Sequence, residues 1–281
     1  MITYYQNIIN NALPKYVKIN NLKLKEAVTY SLLAPGKRLR PSLLMATYSS
    51  LTNKKLKHVL PFACALEMIH AYSLIHDDLP AMDDDGIRRG RPTNHIIFGE
   101  AVSILAGDML LNLAYETMSN YCLHHLVEKN FKAMQIIANA AGNMVKGQTS
   151  DILTTTNDVN NKQLYYIHKN KTAALFSASV NAGAQLSGAS EIMCRQLAKL
   201  GHYIGLAYQI KDDYQDITLT ESETGKTNSD ERNNKATYTS LFGKDKTLND
   251  INVLKTKSLY IINSIGLQNS NLQKLFMNIF N

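Results

Sequence analysis

Cysteine is scarce in this chain. Its three copies, Cys64, Cys122 and Cys194, are widely spaced and odd in number. They make neither a disulfide framework nor a zinc knuckle, and a reducing cytoplasm is the expected location. Long apolar runs are missing too: none approaches the ~18 residues that span a bilayer. The best stretch, 101–113, is interrupted by Asp108. The opening Met-Ile-Thr-Tyr-Tyr-Gln has no basic patch followed by an apolar segment, so no secretory signal is expected. Proline and glycine are few, at 6 and 14 in 281 residues, and alternating Val, Ile and Thr between turn residues hardly occurs. Little strand is expected.

What is present reads as helix. Apolar residues make up 45% of the chain and charged residues 19%, which suits a packed globule. Helical periodicity runs through 104–118, 131–145, 165–186 and 193–217, with breaks at Pro35-Gly36, Pro80, Gly90 to Pro92, and 154–161. The stretch 218–234 is the longest polar insertion, a length that is usually functional or disordered. The expectation is one all-α domain over 1–281, a bundle of roughly ten or more helices. The net charge of +7 favours anionic partners without naming them.

Two carboxylate clusters stand out. Residues 76–92 carry Asp77, Asp78, Asp83, Asp84 and Asp85, with Arg88, Arg89 and Arg91 directly after. The preceding run, 61–75, is strongly apolar, and a buried helix ending in paired aspartates is costly unless their charge is compensated. Pro80 stops the helix near Leu79, so Asp83 lies in a turn that can fold back toward Asp77. The second cluster, Asp212, Asp213 and Asp216, also ends an apolar helix; Gln209, Asp212 and Asp216 share one face. Helix C-termini disfavour negative charge, which weighs against simple solvated helix ends. Hard oxygen donors without a His/Cys set point to Mg²⁺ or Mn²⁺, and Mg²⁺ usually completes its shell with water and phosphate oxygens. A metal–diphosphate clamp follows. Lys37 and Arg40, three apart after Pro35-Gly36, can point the same way at a helix start, an end that favours anions. His70 lies seven residues before Asp77, about 10.5 Å along the same helix.

Asp77-Asp78-(x)4-Asp83 with Arg88-Arg89-Gly90, and Asp212-Asp213-x-x-Asp216, resemble the two aspartate-rich motifs of the trans-prenyltransferases. The segments 36–41, 67–76, 98–101, 105–108, Gly147-Gln148, 168–172 and 235–238 resemble family segments in the expected order, so the likeness spans nearly the whole chain. It implies an isoprenoid synthase fold around a central cavity, and head-to-tail condensation of isopentenyl diphosphate with dimethylallyl and then geranyl diphosphate. It also implies a homodimer. By resemblance, Asp77, Asp83 and Asp212 hold about three Mg²⁺, with Asp78, Asp213 and Asp216 as further candidate ligands and Mn²⁺ as a substitute. Arg88, Lys171, Lys226 and Lys235 would hold the allylic diphosphate. Lys37, Arg40, His70 and Arg89 match the isopentenyl diphosphate ligands. Thr172 and Gln209, with the Lys171 carbonyl, would aim dipoles at an allylic cation.

In the family, a bulky aromatic at the position of Tyr72, followed by a small residue such as Ser73, floors the product tunnel. That implies a C15 product, farnesyl diphosphate, with C10 and C20 synthases of the same family as alternatives. A terpene cyclase would lack the second diphosphate site, a regulatory subunit would lack one aspartate motif, and no nucleic-acid motif appears. Gly86, Lys211 and Arg91 depart from the family pattern, and Lys211 is expected to add positive charge beside the second cluster.

Overall fold

A computed structural model of the chain describes residues 1–154, 159–218 and 237–280. Nearly all of it is helix. The order is α1 (Ile2–Tyr16), α2 (Leu22–Leu32), α3 (Leu39–Leu51), α4 (Leu60–Asp77), α5 (Asn94–Phe98), α6 (Glu100–His124) and α7 (Glu128–Leu153). Then come α8 (Asn161–Ile167), α9 (Ala174–Ser187), α10 (Glu191–Thr218), α11 (Tyr238–Phe242), α12 (Lys244–Ser264) and α13 (Asn271–Phe280). One small departure from the all-helical expectation is an antiparallel ribbon pairing Ile87–Arg88 with Arg91–Pro92. Two residues per strand are too few to leave a sequence pattern.

α4 is the central rod. Phe62, Ala63, Cys64, Ala65, Leu66, Met68 and Ile69 are all fully buried, and the helix packs against α6 and α3. Being apolar all round, it belongs inside the bundle. The three cysteines are buried free thiols. Pro80 halts α4, and the chain then doubles back: the Asp83 amide donates to the Asp77 carbonyl (2.9 Å) and that of Asp85 to the Asp78 carbonyl (3.2 Å).

A second rod runs from α8 into α9 through a π-helical turn, His168–Ala173. α7 crosses this turn closely: a Cβ on Gly147 would lie 2.2 Å from the Lys171 amide nitrogen. π turns recur where a functional side chain must be re-aimed, and here the turn presents Lys171 and Thr172. α10 runs through Thr218, so the second aspartate cluster lies within the helix and not at its end. Among the described residues no helix is long and apolar enough to cross a membrane.

Candidate active site

The ends of α4, α7 and α10, the π turn and the loop before α3 enclose a cavity of about 810 Å³. Asp77 and Asp83 line it from the α4 side, Asp212 and Asp216 from α10. Asp78 and Asp213 do not: both are buried beneath the wall. Asp78 accepts a 2.5 Å hydrogen bond from Arg88 Nε, and Asp85 accepts one of 3.2 Å from the same guanidinium. Burial pushes the Asp78 carboxyl up to about 7, with Arg88 offsetting only part of the cost. Asp213 is also buried, yet His168, the Tyr238 amide and Gln209 outweigh that and hold its pKa below the ordinary value.

A hydrogen-bonded relay joins the π turn to α10. Thr172 Oγ1 donates to Gln209 Oε1 (2.6 Å), and Gln209 Nε2 donates to Asp213 Oδ1 (2.7 Å). The Tyr238 amide donates to Asp213 Oδ2 (2.7 Å). Lys171 Nζ reaches Asp151 at 2.6 Å. Burial works against its charge, but Asp151, Asp77 and Asp83 more than compensate and raise its pKa. Lys226 and Lys235 lie outside the described residues.

Part of the lining is cationic. Lys37, Arg38, Arg40, His70, Arg88 and Arg89 all line the cavity. α3 starts only at Leu39, so Lys37 precedes the helix and does not share a helix face with Arg40. Its ammonium sits 5.9 Å from the Tyr208 ring, while the Arg40 guanidinium stacks 4.6 Å from Phe176. Burial lowers the pKa of Arg40 and Arg89. Burial and then the neighbouring arginines lower that of His70 well below its usual value. Tyr72 and Ser73 line the cavity as well. The Tyr72 ring meets that of His76 edge-on at 5.2 Å.

The departures from the family pattern sit off the clusters. Lys211 Nζ reaches the Ile279 carbonyl on α13 (3.4 Å), and Arg91 stacks on Tyr30 at 4.2 Å. A Cβ on Gly86 would meet nothing within 4 Å, so an aspartate there would be sterically free. The sequence alone assigns no role to Asp85, Gln148, Asp151 or the Arg38–Glu67 pair, although Asp85 lies in the first cluster and Arg38, Glu67 and Gln148 lie in segments that resemble the family. The buried Gln148 amide faces the cavity, and neither its nitrogen nor its oxygen has a hydrogen-bond partner among the described residues.

The donor set fits Mg²⁺. Carboxylates approach the cavity from two helices, yet among the described residues no three His, Cys, Asp or Glu converge to hold an ion unaided. That suits an ion taking one or two carboxylates and finishing its shell with water and phosphate. Fold and cavity together define a helical enzyme with a metal-type anion pocket beside a cationic one.

The sequence profile described as polyprenyl synthetase matches residues 21–278. The chain belongs to that family and is a prenyltransferase. It is 44% identical over 239 residues to a farnesyl diphosphate synthase of Geobacillus stearothermophilus, covering 83% of this chain and 80% of the relative. It is 43% identical over 249 residues to the large subunit 1 of a heterodimeric geranylgeranyl pyrophosphate synthase of Arabidopsis thaliana, covering 85% and 67%. A geranyltransferase structure from Helicobacter pylori, complexed with magnesium and isoprenyl diphosphate, superposes with a TM-score of 0.84 at 29% identity. The match covers 100% of this chain and 96% of that one.

Proposed function

We propose that this enzyme condenses isopentenyl diphosphate with dimethylallyl and then geranyl diphosphate to release farnesyl diphosphate. The observation that carries the reading is a single cavity lined both by carboxylates from two helices and by arginine, lysine and histidine. A terpene cyclase needs only the first.

The chain's residues divide the work. Asp77, Asp83, Asp212 and Asp216 would hold Mg²⁺, which would supply Lewis acidity toward the leaving diphosphate. Arg88 and Lys171 neutralise the same group; a guanidinium suits two-pronged phosphate contact and an ammonium acts as a point charge. The allylic C–O bond breaks and pyrophosphate leaves with the electron pair. Thr172 and Gln209 turn their oxygens toward the cation, and preorganised dipoles are most effective in a dry pocket. Lys37, Arg40, His70 and Arg89 hold isopentenyl diphosphate so that its double bond attacks. A proton then passes to the departing pyrophosphate, so no separate general base is needed.

Three buried thiols support a reducing, cytoplasmic setting. Ile96, Ile97, Ile104 and Leu105, exposed along α5 and α6, support a homodimer. The test is incubation with dimethylallyl diphosphate, radiolabelled isopentenyl diphosphate and Mg²⁺, then chromatography of the hydrolysed products. A dominant C15 alcohol is expected. A cyclic hydrocarbon without label incorporation would sink the reading.

A further inference from the structure

Glu67 does not fit the helix that carries it. It sits in the middle of α4 among Ala, Leu and Met, and is 2% exposed. Its Oε1 accepts from Arg38 Nη1 at 2.7 Å, an ion pair with both side chains 2% exposed. Arg38 then ties three elements together: its Nε donates to Asn10 Oδ1 on α1 (3.0 Å) and its Nη2 to the Ala34 carbonyl after α2 (2.7 Å). It does so with φ at +49°, a left-handed conformation that a side chain other than glycine adopts only when its surroundings impose it. That turn separates Lys37 from Arg40.

The carboxylate also acts on two more arginines of the cationic wall, Arg40 and Arg89. Arg89 presses on the same loop, its guanidinium 2.8–3.1 Å from where a Cβ on Gly36 would stand. Arg40 Nε is buried without a hydrogen-bond partner among the described residues, as expected of a donor awaiting an anion. Several guanidinium groups this close repel one another, and a buried cation needs a counter-charge. Glu67, itself at the buried edge of the cavity, supplies it.

We infer that Glu67, through Arg38, is the positioning residue of the metal-free diphosphate pocket, holding Lys37, Arg40 and Arg89 at ligand-ready spacing before isopentenyl diphosphate arrives. The inference rests on the pocket assignment proposed above. Positioning and plain electrostatics predict opposite signs. A carboxylate beside a diphosphate site repels the ligand, so its removal alone would tighten binding; loss of a positioning residue loosens it.

Three variants separate these outcomes: Glu67→Gln, Glu67→Asp, and the double change Arg38→Met with Glu67→Met. The double change exchanges a buried ion pair for apolar side chains, which is often tolerated in fold stability; thermal melting checks this. Calorimetric titration with inorganic pyrophosphate in EDTA reads the metal-free pocket without turnover. Steady-state assays with Mg²⁺ give KM for each substrate. We expect Glu67→Gln and the folded double variant to lose about tenfold in pyrophosphate affinity and to raise KM for isopentenyl diphosphate similarly. KM for geranyl diphosphate should stay within about twofold, and Glu67→Asp should recover most of the loss. A folded double variant that binds pyrophosphate as well as wild type, or better, overturns the inference; so does an equal rise in both KM values. Wild type that binds no pyrophosphate in EDTA overturns the pocket assignment and this inference together. Wild type that binds pyrophosphate yet makes no prenyl product removes the proposed activity, and the calorimetric comparison still decides the role of Glu67.

Discussion

Asp77-Asp78 ends α4 and Asp212-Asp213 lies within α10, and in both pairs the first carboxylate lines the cavity while the second is buried behind it. Successive helical residues point about 100° apart, so neighbouring aspartates cannot both face one pocket. The buried members then differ. Asp78 meets a single arginine, and burial dominates, so its carboxyl is pushed up to about 7. Asp213 collects Gln209, the Tyr238 amide and His168, and its pKa falls. Donor number, not burial alone, decides whether a buried carboxylate keeps its charge. Asp78 orients Arg88; Asp213 fastens α10 to the start of α11.

The sharpest way to break this comparison is to neutralise the outer members. Asp77→Asn and Asp212→Asn should lower turnover at saturating Mg²⁺ by roughly a hundredfold or more, since several kcal/mol of leaving-group stabilisation is at stake. Folding should survive, because removing clustered negative charge relieves repulsion. If Asp78→Asn and Asp213→Asn lowered turnover as much with melting unchanged, the division between outer and inner carboxylates would be wrong.

The inner members should differ in stability. Asp213→Ala strands the Gln209 amide and the Tyr238 N–H and removes the partner of His168, and should cost about 2–4 kcal/mol in urea unfolding. Asp78→Asn should cost less, about 1 kcal/mol, because that carboxyl already resists ionisation where it sits. The reverse order would show that the Arg88 pair, not the Asp213 hub, is the stronger anchor.

That neighbouring aspartates differ was legible from the resemblance and from helix geometry, but which donors meet Asp78 and Asp213 behind the wall was not. The long helices and the doubling-back after Pro80 were legible, because periodicity and proline chemistry are local properties. The π turn was not, and neither was its close packing against α7 at Gly147. Nor was Glu67, a lone acid in an apolar run whose partner stands 29 residues earlier. Asp85 was visible as a charge, but its grip on Arg88 needs the ribbon that returns the chain.

A smaller effect, on product distribution, concerns Tyr72, about 140° around α4 from Asp77. Tyr72 stands five residues before it, about 7.5 Å down the axis, and is braced by His76, whose ring occupies the space left by Gly107. Tyr72→Ala should shift the main product from C15 toward C20 with turnover largely kept, as read by chromatography of dephosphorylated products. Products that still stop at C15 would move the floor elsewhere.

The smallest expected effect contrasts the two walls through pH. His70 stands on the cationic wall, where burial and then Arg40, Arg89, Arg88 and Arg38 depress its pKa well below the usual value. In the folded chain it therefore stays neutral in mild acid, whereas in the unfolded chain it takes a proton below about 6.5. The unfolded state then binds more protons, so stability falls as pH drops from about 6.5 toward the folded-state pKa, and His70 contributes no slope above that window. One proton limits the slope to about 1.4 kcal/mol per pH unit. Melting curves of wild type and His70→Gln between pH 8 and pH 5 should run parallel above about 6.5. Below it, wild type should lose stability faster, and added pyrophosphate should narrow the gap by giving protonated His70 a counter-charge. If the two curves stay parallel throughout, His70 has an ordinary proton affinity, and the arginines around it do not act on it as a single cationic wall.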